Sequence, residues 1–409
     1  MHEYDVVIVG GGLVGGTLAC ALAPTGLRVA LVESVAPETM RQPSYDERVI
    51  ALSLGSQRIL QGIGLWPRIA AESEPIRRVH VSDRGHCGFT RLDHTELGVE
   101  ALGQVAPARV MGHAIRTRLA TVERLITLCP ARLCNHRLEG DRVALELQCQ
   151  GRDLQLSTRL LVAADGGDSA IRARLGLGTR GHTYGQDAII TTVTADHASP
   201  GTAYERFTET GPLALLPMTE GRYSVVWTCR EDETAELLAL SDTDFIALLQ
   251  ARFGYRLGRL EHPSARQAYP LRLALTREPV QQRVVLIGNA AHTLHPVAGQ
   301  GFNLGLRDVA ALAEVLADPA GRADPGGPET LTAYRRWRGS DQLATGLVTD
   351  LLARVFVNPL RPVLGLRAAA MLGIDLLPGA RRRVARRFMG LDGTQPRLAC
   401  GLPLRTSHA

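Results

Sequence analysis

The first 33 residues carry the pattern that most constrains how this chain can fold. A short apolar run at residues 4–9 (YDVVIV) is followed by the glycine-rich segment GGGLVGG and by small residues that end at Gly26. A second apolar run, RVALVE, then ends at Glu33. Short apolar runs of this kind are typical of buried parallel strands. The pattern predicts a strand, a tight turn, a helix and a second strand, which is the dinucleotide-binding unit of α/β proteins.

The glycines of this turn have separate physical tasks. Gly10 permits the tight turn, Gly12 lets the backbone approach a pyrophosphate, and Gly15 lets the helix pack closely on the strand. Glu33 follows Gly15 by 18 residues, close to the spacing of an acid that binds ribose hydroxyls. Because such an acid disfavours a 2′-phosphate, the pattern indicates FAD or NAD rather than NADP. A glycine turn that binds no ligand is the alternative.

A second glycine motif lies at residues 159–176 (RLLVAADGGDSAIRARLG). An apolar strand ends at Asp165, and Ser169 and Arg172 share one face of the first helical turns because they are three residues apart. Taken alone, this segment could also be an ordinary strand-to-helix turn with an aspartate cap.

A third motif follows the apolar strand RVVLIG at residues 283–288. Asn289 stands at the strand end, the irregular segment HPVAGQG follows, and an amphipathic helix begins with FNLGLRD. Gly299 and Gly301 would let backbone N–H groups converge on a negatively charged or electron-rich group. His292 and His295 have no third ligand nearby in the sequence, so no metal site is predicted and a structural role near the cofactor is favoured.

These three motifs, in this order and spacing, resemble those of the flavoprotein aromatic hydroxylases, single-component FAD monooxygenases with the p-hydroxybenzoate hydroxylase fold. The segments DERVIALSLGSQRIL, GPLALLP, LHPVAGQGFNLGLRDV and YRRWRGSD are similar to those of the ubiquinone-biosynthesis subfamily. Asn289 stands where most of the family has Asp, a similarity to members that hydroxylate 2-polyprenyl-6-methoxyphenol. An Asn amide still accepts a hydrogen bond, but it brings one negative charge fewer to the flavin.

The resemblance implies an α/β (α+β) fold with a Rossmann-like FAD-binding domain, an inserted and mostly antiparallel β-sheet domain for the substrate, and a C-terminal helical region. The FAD-binding domain would take residues 1–75, 104–182 and 273–342, and the substrate domain residues 76–103 and 183–272. Helices are expected at 343–391, followed by a disordered tail at 392–409. Tyr334, Arg338 and Asp341 match the family's Y-x-x-x-R-x-x-D helix and are expected to form ion pairs at a helix surface or between domains.

The resemblance also assigns roles to individual residues. The ADP half of FAD would be held by Gly10, Gly12, Gly15 and Glu33. The ribityl and pyrophosphate region would be contacted by Asp165 and Asn289, and the isoalloxazine ring by Gly299, Gln300, Gly301, Phe302 and Asn303. Arg48 and Arg109 would lie near the cofactor, although Ala108 stands where the family commonly has Asn. Pro296 would line the reacting face, so Pro296 and Gly299 would act catalytically by positioning the flavin, with no side-chain acid or base assigned.

The implied reaction is hydroxylation of an aromatic ring. NAD(P)H would reduce FAD, O2 would add at the flavin C4a carbon, and the resulting hydroperoxide would oxygenate a polyprenyl phenol. A sister hydroxylase acting at another ring position and a catabolic phenol hydroxylase are alternatives. A flavin-bound scaffold or redox sensor without turnover is an alternative of another class. Halogenation is disfavoured, because the chain has no lysine and no W-x-W-x-I-P segment.

Charge and the C-terminal third bear on partners and location. The net charge is only +5 and no arginine–aromatic interleaving occurs, so no nucleic-acid partner is expected. Residues 351–390 alternate apolar runs with arginines, which indicates either packing helices or a surface that contacts anionic lipid or other ubiquinone-biosynthesis proteins. Because the N-terminus has no secretory signal and the cysteines show no disulfide pattern, we expect a cytoplasmic protein with peripheral contact at the inner membrane.

Overall fold

The computed structural model describes residues 2–36, 48–86, 88–358 and 360–405 of the 409-residue chain. The strands in chain order are β1 (His2–Val9), β2 (Val29–Val32), β3 (Val49–Ser53), β4 (Glu74–Ile76), β5 (Arg78–Asp83), β6 (Phe89–Asp93), β7 (Gly103–Pro107), β8 (Leu125–Leu128), β9 (Ala131–Glu139), β10 (Arg142–Cys149), β11 (Arg152–Ala163), β12 (Thr179–Ala195), β13 (Thr202–Thr208), β14 (Gly211–Pro217), β15 (Arg222–Arg230), β16 (Leu260–Glu261), β17 (Gln267–Thr276), β18 (Val280–Gln281), β19 (Val284–Leu286) and β20 (His292–Thr293). The helices are α1 (Leu13–Leu22), α2 (Leu54–Gly62), α3 (Trp66–Ile69), α4 (Ala108–Leu119), α5 (Ala170–Arg174), α6 (Thr234–Ala239), α7 (Asp242–Phe253), α8 (Gln300–Ala317), α9 (Pro319–Ala323), α10 (Pro328–Val357), α11 (Arg361–Leu376) and α12 (Pro378–Phe388).

The first sheet has a parallel centre in the order β19-β11-β1-β2-β8, with β18 antiparallel at one edge. Helices α1, α4 and α8 pack on one face, where Val6 and Ile8 are fully buried. The hairpin β9–β10 continues from β11, and its apolar side chains pack with Val7 and Leu161 of the other face. Because both faces are covered, the central strand is continuously apolar rather than alternating.

The second sheet runs β20-β17-β12-β15-β14-β13-β5-β6 and is antiparallel apart from the parallel pair β5–β13. Phe245 and Leu249 of α7 pack on one of its faces around Trp227. Side chains alternate between the two faces of a strand, so the opposite face presents small and apolar groups such as Ala214 and Val226. A small antiparallel sheet, β3-β7-β4, lies beside it. The predicted combination of a Rossmann-like domain with a mostly antiparallel β-sheet domain is confirmed.

The C-terminal helices pack across both sheets. Helix α10 contacts α8 and the hairpin strands β13 and β14, and α11 contacts β6. No single helix in the described part of the chain is long and apolar enough to cross a membrane. Helices Pro362–Leu376 and Pro378–Phe388 meet that test only as a pair, by length and composition, and they are bent by 98°.

The segment after α12 departs from expectation. The prediction of a disordered tail is wrong for residues 392–405, whose apolar side chains complete the core beside α2. Leu398 and Ala399 are each 1% exposed and join the cluster under the first sheet. Trp337 Nε1 donates to the Thr394 carbonyl at 2.9 Å, and the Arg397 backbone N–H donates to Glu314 at 3.0 Å.

Candidate active site

A cavity of about 1560 Å³ lies between the carboxyl ends of the first sheet's parallel strands, the second sheet and the C-terminal helices. Ligands bind at the carboxyl edge of open α/β sheets, so its position agrees with the sequence prediction. Most of the predicted residues line it: Gly10, Gly12, Glu33, Arg48, Asp165, Asn289, Pro296, Gly299, Gln300, Gly301, Phe302 and Asn303.

The turn between β1 and α1 brings backbone N–H groups to the cavity. Gly10 has φ of 105°, a conformation that glycine adopts without strain, and a Cβ there would lie 2.3 Å from the Ala164 carbonyl oxygen. Gly12 precedes α1 with no side-chain cap, so the N–H groups of its first turn are open to an anion. Gly15 lies behind the cavity wall, where a Cβ would stand 1.9 Å from the Gly10 carbonyl oxygen. It sets the approach of helix to strand.

Glu33 braces the same turn. Its Oε2 accepts the Gly11 backbone N–H at 2.6 Å, and its Oε1 accepts the Val35 N–H at 2.7 Å. A carboxylate has about four acceptor positions, so lone pairs are left for the hydroxyls of a bound ribose.

The second motif connects to the third through an arginine. Ser169 caps α5 by accepting the Arg172 N–H at 3.0 Å, in the place where an aspartate cap was the alternative. The Arg172 guanidinium donates to the Gly167 carbonyl at 2.6 Å and to the Ala290 carbonyl at 2.9 Å. Asp165 also takes part in this turn, because its Oδ2 accepts the Ile171 backbone N–H at 3.3 Å. Its Oδ1 is buried and finds no hydrogen-bond partner among the described residues.

A buried carboxylate organises the third motif. Asp308 of α8 accepts the Gly288 N–H at 3.1 Å, His292 Nε2 at 2.6 Å and Arg338 Nε at 2.8 Å. Burial opposes ionisation of Asp308, but His292 and Arg338 outweigh it and hold its pKa well below the ordinary range. The expectation of a surface or interdomain ion pair at Arg338 is wrong, because this side chain is only 5% exposed and serves the core. The network holds the strand end that precedes Asn289.

The loop before α8 has an unusual backbone. Ala298 and Gly299 are both left-handed, with φ of 56° and 60°. A non-glycine residue in that region is strained, and such strain concentrates at functional sites. The N-terminus of α8 has no side-chain cap, and a Cβ added at Gly301 would meet nothing within 4 Å. Together these features form a cradle that a planar, electron-rich ring can enter.

Three predicted residues make contacts within the protein that the sequence did not indicate. The Asn303 amide is used within the protein: it accepts the Ser53 N–H and donates to the Ala51 and Gly299 carbonyls, so it ties β3 to the start of α8. The Arg48 guanidinium lies 4.6 Å from the Tyr269 ring centroid. Arg109 is not brought to the cavity; it pairs with Glu72 at 2.7 Å, and both side chains are about half exposed.

The two histidines take structural positions. His292 pairs with Asp308, and His295 Nδ1 accepts the Val297 N–H at 3.1 Å. Burial lowers the pKa of His295 to about 4, with Asp350 opposing, so the ring stays neutral. In the described residues no three His, Cys, Asp or Glu side chains are grouped as a metal would require.

The part of the cavity between β13 and the C-terminal helices is mostly apolar and contains a pair of stacked aromatic rings. The rings of Phe207 and Phe356 stack at 3.4 Å between centroids, and Val297 and Met371 complete the cluster. Glu205, which no sequence motif indicated, also lines the cavity from β13. The only sequence signal was a charged residue two positions before Phe207 in a strand with one buried face.

FAD fits these residues. The uncapped turn at Gly12 suits a pyrophosphate, the partnerless Oδ1 of Asp165 can accept a cofactor hydroxyl, and the open space at Gly301 suits a ring. Ligand pockets usually measure about 300–1,000 Å³, so a cavity of about 1560 Å³ has room for a dinucleotide and a second molecule.

Comparison with known proteins also relates this chain to FAD-binding proteins. Residues 3–344 match the family described as FAD binding domain. The chain is 41% identical over 405 residues to ubiquinone hydroxylase UbiL of Rhodospirillum rubrum, covering 98% of this chain and 93% of that protein. It is 30% identical to 3-demethoxyubiquinol 3-hydroxylase of Escherichia coli K12, covering 95% and 98%. It is also 30% identical to the human ubiquinone biosynthesis monooxygenase COQ6, covering 89% and 88%.

Solved structures agree on the fold. The p-nitrophenol 4-monooxygenase PnpA of Pseudomonas putida DLL-E4 has a TM-score of 0.77 at 19% identity, over 97% of this chain and 100% of that one. PqsL of Pseudomonas aeruginosa, in complex with 2-aminobenzoylacetate, has a TM-score of 0.75 at 21% identity, over 91% and 100%. From its three flavin motifs, its family match and its relatives, the chain belongs to the FAD-dependent aromatic-ring monooxygenases of the p-hydroxybenzoate hydroxylase fold, alongside the ubiquinone hydroxylases.

Proposed function

We propose that this chain uses NAD(P)H and O2 to hydroxylate the ring of a polyprenyl phenol, 2-polyprenyl-6-methoxyphenol, in ubiquinone biosynthesis. The observation that carries the proposal is the lining of the cavity. One end is the phosphate turn at Gly12, and the other is apolar, with Leu216, Phe356 and Met371 among its walls. A polar dinucleotide and a large apolar phenol can therefore meet in one enclosed space.

The protein's part in this reaction is to bind, orient and exclude water. Bound FAD supplies the redox chemistry, taking a hydride from NAD(P)H and activating O2. The N-terminus of α8 at Gln300 would stabilise negative charge on the reduced ring; each helix-dipole interaction of this kind contributes ~0.3–1 kcal/mol, more where it is partly buried. Pro296 and Gly299 shape the loop on which the ring would rest. The Phe207–Phe356 stack keeps water from the reacting face.

The choice of substrate rests on the relatives and on one residue. The relatives that cover most of this chain include a ubiquinone hydroxylase and a 3-demethoxyubiquinol 3-hydroxylase. Asn289, in place of the family's usual Asp, favours the 2-polyprenyl-6-methoxyphenol enzyme over its sisters, which remain the alternative. A catabolic phenol hydroxylase needs no long apolar region in its cavity, so the walls contributed by α10–α12 weigh against it.

Complementation tests the assignment. Cells that lack one ubiquinone ring hydroxylase at a time are given this chain, and the quinone and accumulated intermediates are measured by mass spectrometry. Rescue of the strain that accumulates 2-polyprenyl-6-methoxyphenol is expected. Rescue of a different strain would assign a sister position. No rescue, together with no phenol-stimulated NAD(P)H oxidation by the yellow purified protein, would favour a flavin-bound scaffold.

We also propose that the exposed leucines of α10 and α11 contact the cytoplasmic membrane surface and admit the prenyl tail. Leu351 and Leu366 are 60% and 72% exposed and also line the cavity, so its apolar lining reaches the outside there. Leu343 and Leu347 continue the stripe on α10, and α12 adds exposed arginines suited to anionic lipid headgroups: Arg382, Arg383 and Arg386.

Vesicle flotation tests this contact. The protein should float with phosphatidylglycerol vesicles and less with phosphatidylcholine alone, and Leu347→Ser with Leu366→Ser should weaken flotation. Leu248→Ser, which changes a 42% exposed leucine on α7, is the matched control. Equal flotation by all three proteins, or none by the wild type, would remove the lipid contact and leave a protein partner for this surface.

A further inference from the structure

The second sheet presents one carboxylate to the cavity within the described residues, that of Glu205 on β13. The other lining carboxylates belong to the side of the first sheet: Glu33, Asp165 and Asp168. In register, Glu205 stands between Val81 of β5 and Ala214 of β14. Its strand neighbour Arg206 turns to the opposite face, where it donates to the Arg252 carbonyl at 3.1 Å. Among the described second-sheet residues that line the cavity, Glu205 is thus the only charged one.

Glu205 also lies against the loop that carries the reacting face. The backbone N–H of Ala298, two residues after Pro296, lies near its carboxylate and acts on its pKa as a hydrogen-bond donor. In the part of the chain that the structure describes, no arginine or histidine forms an ion pair with it, and burial raises the pKa of the carboxyl to about 7 while the Ala298 hydrogen bond opposes that rise. A carboxyl group with such a pKa at neutral pH is suited to general acid–base work.

Building on the proposed function, we propose that Glu205 is a catalytic residue whose carboxylate accepts a hydrogen bond from the phenol hydroxyl of the substrate and takes its proton as the ring is oxygenated. A phenol needs an acceptor when it is buried, and the apolar wall offers it no other carboxylate. Polar groups of this kind orient a ligand within a mostly apolar pocket.

The proton transfer balances without another reactant. The phenol O–H bond breaks, the proton moves to Glu205, and the electron pair of the oxygen delocalises into the ring. The ring carbon then forms its bond to one oxygen atom of O2 as the O–O bond breaks. NAD(P)H supplies the two electrons, and the second oxygen atom leaves as water with protons from NAD(P)H and solvent. That carbon loses its hydrogen to solvent as aromaticity returns, and Glu205 gives its proton back to the substrate oxygen. The carboxylate is unchanged over one turnover.

A purely structural role is the competing explanation, because Glu205 also supports the left-handed Ala298. The variant Glu205→Gln separates the two. Its amide oxygen still accepts the Ala298 N–H, but it takes no proton. We expect the wild-type rate to rise through about pH 7. In Glu205→Gln we expect normal FAD content, hydroxylation slower by roughly 10²–10⁴-fold, and loss of that rise. Glu209→Gln, on the exposed Arg84 pair just beyond β13, is the matched control and should keep the wild-type profile.

Binding gives a readout without turnover. A prenylated methoxyphenol and its methyl ether are titrated into the FAD-loaded proteins by calorimetry. The wild type should prefer the phenol by roughly tenfold or more, equivalent to ~1.4 kcal/mol, and Glu205→Gln should lose that preference. An unchanged preference and an unchanged pH profile in Glu205→Gln would overturn the inference. If the wild type hydroxylates no prenylated phenol, the proposed function fails, while the phenol-to-ether comparison still decides the role of Glu205.

Discussion

Removing the charge of Asp308 tests the network that links α8 to the cofactor site. In Asp308→Asn, Arg338 stays buried and keeps only Asp341 as an anionic partner, at 2.5 Å. Breaking a buried ion pair from one side costs about 3–5 kcal/mol, and the remaining partner places this case near the lower end. The new amide N–H₂ group can also face the Gly288 N–H, and an unsatisfied buried donor costs ~1–3 kcal/mol. The two contributions, about 3 kcal/mol and ~1–3 kcal/mol, together predict a loss of about 4–6 kcal/mol.

The substitution should lower both the free energy of unfolding and the affinity for FAD. Urea unfolding of the apoprotein, followed by tryptophan fluorescence, measures the first, and titration with FAD measures the second. FAD affinity should fall because the Gly288 N–H positions the strand end that precedes Asn289. Glu209→Gln breaks an exposed pair with Arg84 and should cost under ~1 kcal/mol. The double variant Asp308→Asn/Arg338→Met should recover part of the loss, since no unpaired charge is then left in the core.

A small change in the free energy of unfolding would contradict this expectation. If Asp308→Asn unfolds within ~1 kcal/mol of the wild type, the network stabilises no more than a surface pair. If stability falls but FAD affinity is unchanged, the network holds the core without positioning the cofactor. If the double variant is as unstable as the sum of both single variants, the two charges are not coupled.

Three other perturbations test separate features. Gly301→Ala puts a methyl group into open space within a helix, so the apoprotein should gain about 0.5–1 kcal/mol while the FAD dissociation constant rises; unchanged FAD affinity would place the ring elsewhere. Gly15→Ala sets a Cβ 1.9 Å from the Gly10 carbonyl oxygen, so melting temperature and flavin content should both fall, and a fully loaded, equally stable protein would contradict that packing. Alkaline pH should destabilise the apoprotein through Glu205, whose pKa of about 7 exceeds its ordinary 4.5. This contribution is complete below about pH 4.5 and is lost as the pH rises through 7, by ~1–3 kcal/mol for a partly solvated cavity group; urea unfolding of Glu205→Gln should lack this pH-dependent change.

The flavin side of the site could be predicted from the sequence because its requirements are local. A tight turn, a close backbone approach and an uncapped helix N-terminus each need particular residues at fixed offsets, as at Gly10, Gly12 and Gly301. Parallel strands bring their carboxyl ends to one edge, so Asp165 and Asn289 converge once the strands are recognised. The apolar runs and the resemblance together also specified the fold class.

Other features depended on the tertiary structure, because side-chain direction and burial are set by packing between distant segments. Arg109 turns to Glu72 at the surface, whereas Arg338 enters the core to reach Asp308, 30 residues earlier. Residues 392–405 are ordered because a gap beside α2 accepts their apolar side chains. Glu205 faces the cavity only because the strand register of β13 turns it there, and no local pattern distinguishes it from a solvent-exposed glutamate. The sequence by itself thus determined the cradle proposed for the flavin. The packing of the second sheet decided that Glu205 faces the cavity proposed for the substrate.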